Sequence, residues 1–367
     1  MNRATSAAAP PGGTAGTVHH PWEPAALVDP PAPTGLDRAP DPLAGRLGAC
    51  LVRMRRGLEQ DYRDSIKAHR YRFLGLERCR LTHLLIELGV RASGLSARGR
   101  RNATTLALVE RTVPIAALPG PFDGLRILHL SDLHLDLDAA ILQAIIARVR
   151  PLSYDLCVLT GDYCASATGP CEPALAALAQ LRPHLHGPVY AVMGNNDSIE
   201  MVPPIEALGI RLLINESLPI ERDGERIFLA GIDDPNRYRT HNLEAAAAAI
   251  PPDTPAILLA HAPEPFRAAA SLGFALMLCG HTHGGQICLP GGFALISHSR
   301  APQCVRAGAW RWRQMQGYTS RGAGSSIIAA RFNCPPEVTI HCLRRAAAAD
   351  ESLTTALLSV RTTAIEE

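Results

Sequence analysis

The sequence predicts an α/β protein, because from Leu125 onward short apolar runs alternate with helix-length segments and each run ends in glycine or polar residues. A hydrophobic content of 47% over 367 residues supports a sizeable core. The runs are 125–130, 155–160, 189–193, 227–230, 256–260 and 275–279, the length of buried strands rather than helices.

Ahead of these runs the chain divides by composition. Residues 1–45 hold nine of the 30 prolines and little to bury, which predicts a disordered tail. From Arg46 to Arg101 there are 14 Arg or Lys against 5 Asp or Glu, so this stretch carries +9 within a chain of net charge +2. Leu58, Tyr62, Ile66, Phe73, Leu74, Leu81, Leu84, Leu85 and Leu88 recur there at roughly helical spacing, predicting a basic amphipathic helical extension over 46–101 whose end, Gly94–Arg101, reads as a linker. Such a segment suits either an anionic membrane surface or packing on its own domain. Residues 102–345 form the main domain and 346–367 a C-terminal tail. The alanine runs 245–249 and 346–349 read as plain helix.

Ten cysteines form no CxxC pair, which favours a reducing compartment over a zinc or disulfide framework. The N-terminus lacks a basic region followed by an apolar run, and no stretch approaches the roughly 18 apolar residues of a membrane span. The expected location is therefore cytoplasmic, with peripheral attachment to the inner membrane if the basic extension binds lipid. Trp310 and Trp312, which alternate with arginines, suit an acyl chain, a membrane or a half-buried edge strand equally well.

The chemistry lies just after the apolar runs. Asp132-Leu133-His134, Gly161-Asp162, Gly194-Asn195-Asn196-Asp197, His261 and Gly280-His281-Thr282-His283 are all metal-ligand types. On an extended segment the two side chains of D-x-H share one face, and those of His281 and His283 likewise. Each fragment alone is ordinary loop chemistry. Five in one chain, all at strand ends, point to one rim of a sheet, where α/β proteins keep their sites.

In this order the motifs resemble the calcineurin-like metallophosphoesterases over about 122–343, and within them the bacterial YkuE/YaeI/LpxG-like branch. Leu130–His134, Gly231-Ile232-Asp233-Asp234, Gly280–Gln286, Ser320-Arg321-Gly322 and 331–337 support the branch. The resemblance implies a four-layer α/β/β/α sandwich of two mixed sheets. It also implies one divalent ion on Asp132, His134 and His283, a second on Asn195, His261 and His281, and Asp162 bridging them. Imidazole and carboxylate ligands suit Mn, Fe, Zn or Ni better than calcium. A hydroxide bridging such a pair would attack a phosphorus centre.

Two positions depart from the family pattern. Ala165 stands where many members have a second Asp, and Asn196 replaces the His thought to protonate the leaving group. An amide cannot deliver a proton. The expected substrate is thus a phosphodiester or phosphoanhydride, with UDP-2,3-diacylglucosamine of lipid A biosynthesis as the specific candidate. The family's lipid A hydrolases include a branch with Arg in place of that His. The alternatives are a general phosphodiesterase or phosphatase, and a metal-binding pseudoenzyme. Arg237, in a loop after the Gly231–Asp234 turn, and Arg321, in a Gly-rich loop, are candidate substrate contacts. Nucleic acid is not expected as a partner, since the basic region has few interleaved aromatics.

Overall fold

The computed structural model describes residues 41–72, 87–294, 299–346 and 361–363. Phe73, Leu74, Leu81, Leu84 and Leu85, residues 1–40 of the expected tail and Ala347–Ala349 lie outside this set. From Asp41 onward the chain forms one compact unit. Its first helix, α1 (Pro42–Leu47), begins within the expected tail, capped by the Asp41 side chain with proline in its first turn.

Helix α2 (Ala49–Arg72) follows, then α3 (Ser96–Thr104), which occupies the expected linker. The linker reading fails because Gly99 lets α3 approach Ala330 and Phe332 closely, while Asn102 Nδ2 donates to the Arg331 carbonyl at 2.8 Å.

The main body alternates strands and helices: β1 (Ala107–Ile115), β2 (Arg126–Leu130), α4 (Ala139–Val149), β3 (Leu156–Leu159), α5 (Glu172–Leu181), β4 (Val189–Ala191), α6 (Val202–Ala207) and β5 (Ile210–Leu212). The second half holds β6 (Glu216–Arg222), β7 (Glu225–Gly231), α7 (Leu243–Ala247), β8 (Ala256–Leu259), α8 (Phe266–Ser271) and β9 (Leu276–Cys279). A short hairpin, β10 (Cys288–Leu289) and β11 (Phe293–Ala294), precedes β12 (Gly308–Trp312), β13 (Met315–Thr319), β14 (Glu337–Arg345) and β15 (Arg361–Thr363). Each apolar run of the sequence thus contains a strand.

One sheet has the order β15-β1-β14-β2-β3-β4-β5 and the other β12-β13-β9-β8-β7-β6. Both are mixed: β2, β3, β4 and β5 are parallel neighbours, as are β7, β8, β9 and β13, with antiparallel strands toward the edges. Alternation along each strand sorts the core into layers. Ile127 and Val158 meet Ile257, Leu259 and Leu278 between the sheets. Leu128 and Leu159 pack outward against α4 and α5, and Leu258 and Met277 against α7 and α8. The result is the four-layer α/β/β/α sandwich. Trp310 is core here, on the edge strand β12, stacked edge-on to Phe266 and donating its Nε1–H to Thr319 Oγ1 at 2.9 Å.

Candidate metal centre

The carboxyl ends of the central parallel strands bring the ligand types together. β2 leads to Asp132 and His134, β3 to Asp162 and β4 to Asn195 in one sheet; β8 leads to His261, and β9 to His281 and His283, in the other. Extended alternation does not aim these side chains, contrary to the sequence argument. Asp132, His134, Asp162, His281 and His283 have φ of 52°, 41°, 57°, 71° and 51°, all left-handed. Non-glycine residues rarely adopt this region, and such strain gathers where a site over-determines the backbone. Small neighbours make room: a Cβ on Gly194 would collide with Asp162, and one on Gly280 with Ser131 and Asp132.

Six side chains converge as two buried groups, with Asn195 beside the second. In one, the ligand atoms of Asp132, His134 and His283 lie within 4.8 Å of one another; in the other, those of Asp162, His261 and His281 do. His134 Nε2 faces His283 Nε2 at 3.0 Å and Asp162 Oδ2 at 3.8 Å. His261 Nε2 lies 3.0 Å from Asn195 Oδ1 and 3.4 Å from Asp162 Oδ1, so Asp162 faces both groups. The rear nitrogens fix the tautomers: His134 Nδ1 donates to the Cys164 carbonyl at 2.7 Å and His261 Nδ1 to the Thr160 carbonyl at 2.8 Å. Both Nε2 atoms therefore point into the cluster.

His281 Nε2 is buried with no hydrogen-bond partner among the described residues. A buried imidazole nitrogen left without a partner is costly, and a coordinated cation would satisfy it. The residues fit two divalent ions, one per group, with Asp162 between them.

The local electrostatics agree. Burial works against protonation of His261, but the Asp162 carboxylate outweighs it and lifts the imidazole to about 10. Burial, then the neighbouring His134 and Arg331, push His283 well below its usual range. With no cation bound His261 is thus held as the imidazolium by Asp162, and a metal ion bound there would displace its Nε2 proton.

Two supporting residues, both inside motifs quoted from the sequence, had no role assigned to them there. Asp197 accepts four backbone N–H groups, from Asp162, Tyr163 and Gly194 at 2.8 Å each and from Cys164 at 3.1 Å, tying the β3 and β4 loops together. The G-N-x-D spacing carried that signal. Arg331 is fully buried, with Nη2 at 3.2 Å from His283 Nδ1 and 2.6 Å from the Gly324 carbonyl, and it anchors the loop behind His283.

The remaining predicted residues border the cluster. Asn196 Nδ2 donates to Asp162 Oδ2 at 2.9 Å, and its Oδ1 accepts from Arg237 Nη1 at 3.0 Å. Arg237 also donates to the Asn195 carbonyl. Arg321 is committed to the buried Glu337, Nε to Oε2 at 2.5 Å, with its stem beside Gly284.

Helix α2 forms the wall behind this edge, with a polar inner face. Arg55, fully buried, donates to the Asp197 carbonyl at 2.9 Å, ion-pairs with Glu59 at 3.3 Å and Asp233 at 3.4 Å, and stacks on Tyr238. Glu59 accepts from Ser198 Oγ at 2.6 Å and Ile199 N at 2.8 Å, and Tyr62 lies under the Arg237 guanidinium at 4.4 Å.

Comparison with known proteins agrees with this geometry. A family model described as calcineurin-like phosphoesterase matches residues 125–285. The chain is similar to a cattle (Bos taurus) protein named transmembrane protein with metallophosphoesterase domain, at 34% identity over 215 residues, or 53% of this chain and 48% of that one. It is also similar to the phosphodiesterase YaeI of Escherichia coli (29% over 235 residues, 59% and 80% of the two chains) and to YkuE, an uncharacterized metallophosphoesterase of Bacillus subtilis (27% over 246 residues, 64% and 84%). The chain spans about half the length of its vertebrate relatives. Motif order, sandwich fold and matched family model together establish that this chain belongs to the calcineurin-like metallophosphoesterase family.

Proposed function

We propose that the chain is a metal-dependent hydrolase of phosphodiesters or phosphoanhydrides. The observation that carries this reading is the pair of buried ligand clusters meeting at Asp162, with the His281 nitrogen left without a partner among the described residues. Two divalent ions held there, from the Mn, Fe, Zn and Ni class that the donors favour, supply Lewis acidity and lower the pKa of water from 15.7 toward about 7. Asp132, His134 and His283 would hold one ion, and Asn195, His261 and His281 the other, with Asp162 shared. The E. coli relative's name, phosphodiesterase, supports the same class.

Asn196 shapes the substrate. Its amide is committed to Asp162 on one side and Arg237 on the other, so it offers no acid proton at the edge of the cluster. Losing a positioned general acid typically costs about 10²–10⁴ in rate for a leaving group that needs protonation. A phosphate monoester leaving from a pyrophosphate linkage is stable without it, and the Arg237 guanidinium, bonded to Asn196 at the edge of the cluster, would offset charge on such a group. We therefore favour phosphoanhydrides and activated diesters over alkyl monoesters, with a lipid-linked sugar nucleotide such as UDP-2,3-diacylglucosamine as the specific candidate.

The test compares kcat/KM for a sugar-nucleotide pyrophosphate and an alkyl phosphate monoester, with added Mn²⁺, in wild type and Asn196→His. Wild type should prefer the pyrophosphate, and the substitution should raise monoester turnover. A wild type that prefers the alkyl monoester and is unchanged by the substitution overturns the leaving-group argument. Bound metal without turnover of any phosphoester would leave a metal-binding pseudoenzyme.

The expected anionic-membrane contact of residues 46–101 draws on fewer charges than the sequence count offers. Arg46 ion-pairs with Glu206 and Glu216, Arg55 is buried, Arg56 is held by Asp41 and Glu200, and Arg91 pairs with Glu87. Arg98 and Arg101 of α3 are exposed and have no ion-pair partner among the described residues.

A further inference from the structure

The segment after the His283 loop is unusual in composition. Gly284 to Ser299 contains no Asp, Glu, Lys or Arg, whereas a chain with 19% charged residues would place about three in those sixteen positions. Its hairpin, β10 to β11, turns through Pro290-Gly291-Gly292 and leaves Phe293 65% and Leu289 51% exposed, the two most exposed large apolar side chains among the described residues. Isolated exposed apolar residues need no explanation, but two at the tip of an uncharged hairpin form a patch of the kind that meets a partner.

The hairpin is tied both to the metal centre and to α3. At its root, Gly285 abuts Ala294, and Cys288 Sγ donates to the Gly284 carbonyl at 3.3 Å, one residue from His283. On its other side Ile287 bridges Phe332, Cys288 N donates to the Phe332 carbonyl at 2.9 Å, and Asn333 Nδ2 donates to the Cys288 carbonyl at 2.8 Å. The Phe332 ring in turn lies against Gly99 of α3, and Arg331 N donates to the Gly99 carbonyl at 3.1 Å. The short segment 331–333 thus touches both the hairpin and α3, the helix that carries Arg98 and Arg101. Leu95, 41% exposed one turn before Gly99, extends the apolar part.

We propose that the β10–β11 hairpin and the Arg98 and Arg101 side of α3 form a docking surface for an anionic lipid membrane. Leu289 and Phe293 enter the headgroup boundary while the arginines meet lipid phosphates, the pairing of apolar insertion with basic charge that defines interfacial binding. The partner is a lipid surface rather than a protein because the patch couples an uncharged apolar tip to unpaired arginines and holds no acidic side chain between Gly284 and Ser299. The surface lies beside His283, so docking brings the metal centre to the membrane. As a route to a lipid-borne substrate it rests on the reading above; as a binding surface it does not.

The experiment is co-sedimentation of the full chain with vesicles of phosphatidylcholine containing phosphatidylglycerol, against phosphatidylcholine alone, at low and high salt. Wild type should bind the anionic vesicles and lose most of that binding in high salt, because exposed charges are screened. Leu289→Ser/Phe293→Ser and Arg98→Glu/Arg101→Glu should each reduce binding about tenfold or more, while hydrolysis of a water-soluble aryl phosphodiester stays at the wild-type level. Binding of wild type no better to anionic than to neutral vesicles, or unchanged binding in both double variants, overturns the proposal. So does a solution mass showing that the hairpin variant breaks a dimer, since the occupant would then be a second copy. Vesicle binding without hydrolysis would sink the hydrolase reading alone.

Discussion

The loops at the strand ends and helix α2 both border the metal centre, yet they are built in opposite ways. The loops place ligands through local backbone geometry: five left-handed residues, glycines where a Cβ would collide, and one carboxylate, Asp197, gathering four amides. Helix α2 reaches the same place from more than a hundred residues away in sequence, through a buried ion pair. Chemistry that must be exact within a small radius is encoded locally, whereas the wall that holds it in position is a tertiary feature. The first can be broken with the fold intact; the second should weaken fold and site together.

The largest effect is expected in the loops. Asp162 faces both groups, so Asp162→Ala should abolish turnover and lower bound metal, a loss greater than the ten- to hundredfold typical of an outer partner. His134→Ala should be milder, since it faces one group. Metal analysis beside activity checks both, and near-normal metal and turnover in Asp162→Ala would refute its shared role. Helix α2 should remain docked, with unfolding close to wild type.

A smaller but broader effect belongs to α2. Arg55→Met strands Asp233 as a buried charge without its ion-pair partner and leaves Glu59 with Arg63 alone, and removing one member of a buried pair costs about 3–5 kcal/mol. The Asp197 carbonyl also loses its donor. We expect a clear drop in melting temperature and reduced kcat, with the metal ligands themselves untouched. Unchanged stability would mean that α2 is an appendage, and the contrast between the two regions would collapse.

The difference in construction explains what the sequence could reveal. Six of the eight strands between Leu125 and Cys279 were legible because burial on both faces leaves continuous apolar runs, whereas β5, only three residues long, and β6, with no fully buried residue, leave no such run. The ligands were legible because each follows such a run within a few residues. The reason they converge was not: the period-of-two argument assumed extended backbone, and the left-handed conformations that turn Asp132 and His134 together depend on loops packed against them. Helix α2 was legible as a helix, but not its orientation. Leu58 and Tyr62 looked like a buried stripe among solvated charges, while the most buried positions include Arg55 and Glu59, whose partners Asp197, Ser198 and Asp233 lie far along the chain. Charge in a sequence does not announce that it is paired.

The smallest effect sharpens the comparison where the two regions touch. Arg237, which holds Asn196 from the loop side, lies 4.4 Å above the Tyr62 ring of α2. A guanidinium over an aromatic face is stabilised by about 0.5–1 kcal/mol at an exposed site, a factor of roughly two to five. If α2 only shores up the fold, Tyr62→Ala should change melting temperature and leave kinetics alone. If the ring sets the position of Arg237, Tyr62→Ala should raise KM for a phosphoanhydride about two- to fivefold with little change in kcat. Tyr62→Phe, which keeps the ring face and removes the hydroxyl, should then behave as wild type. Arg53→Ala, an exposed position on the same helix, should stay within about 0.5 kcal/mol of wild-type stability and alter no kinetic constant. Equal kinetics in Tyr62→Ala and Tyr62→Phe would confine α2 to a structural role. A KM effect in Tyr62→Ala alone would make a distant helix a positioning element of the site.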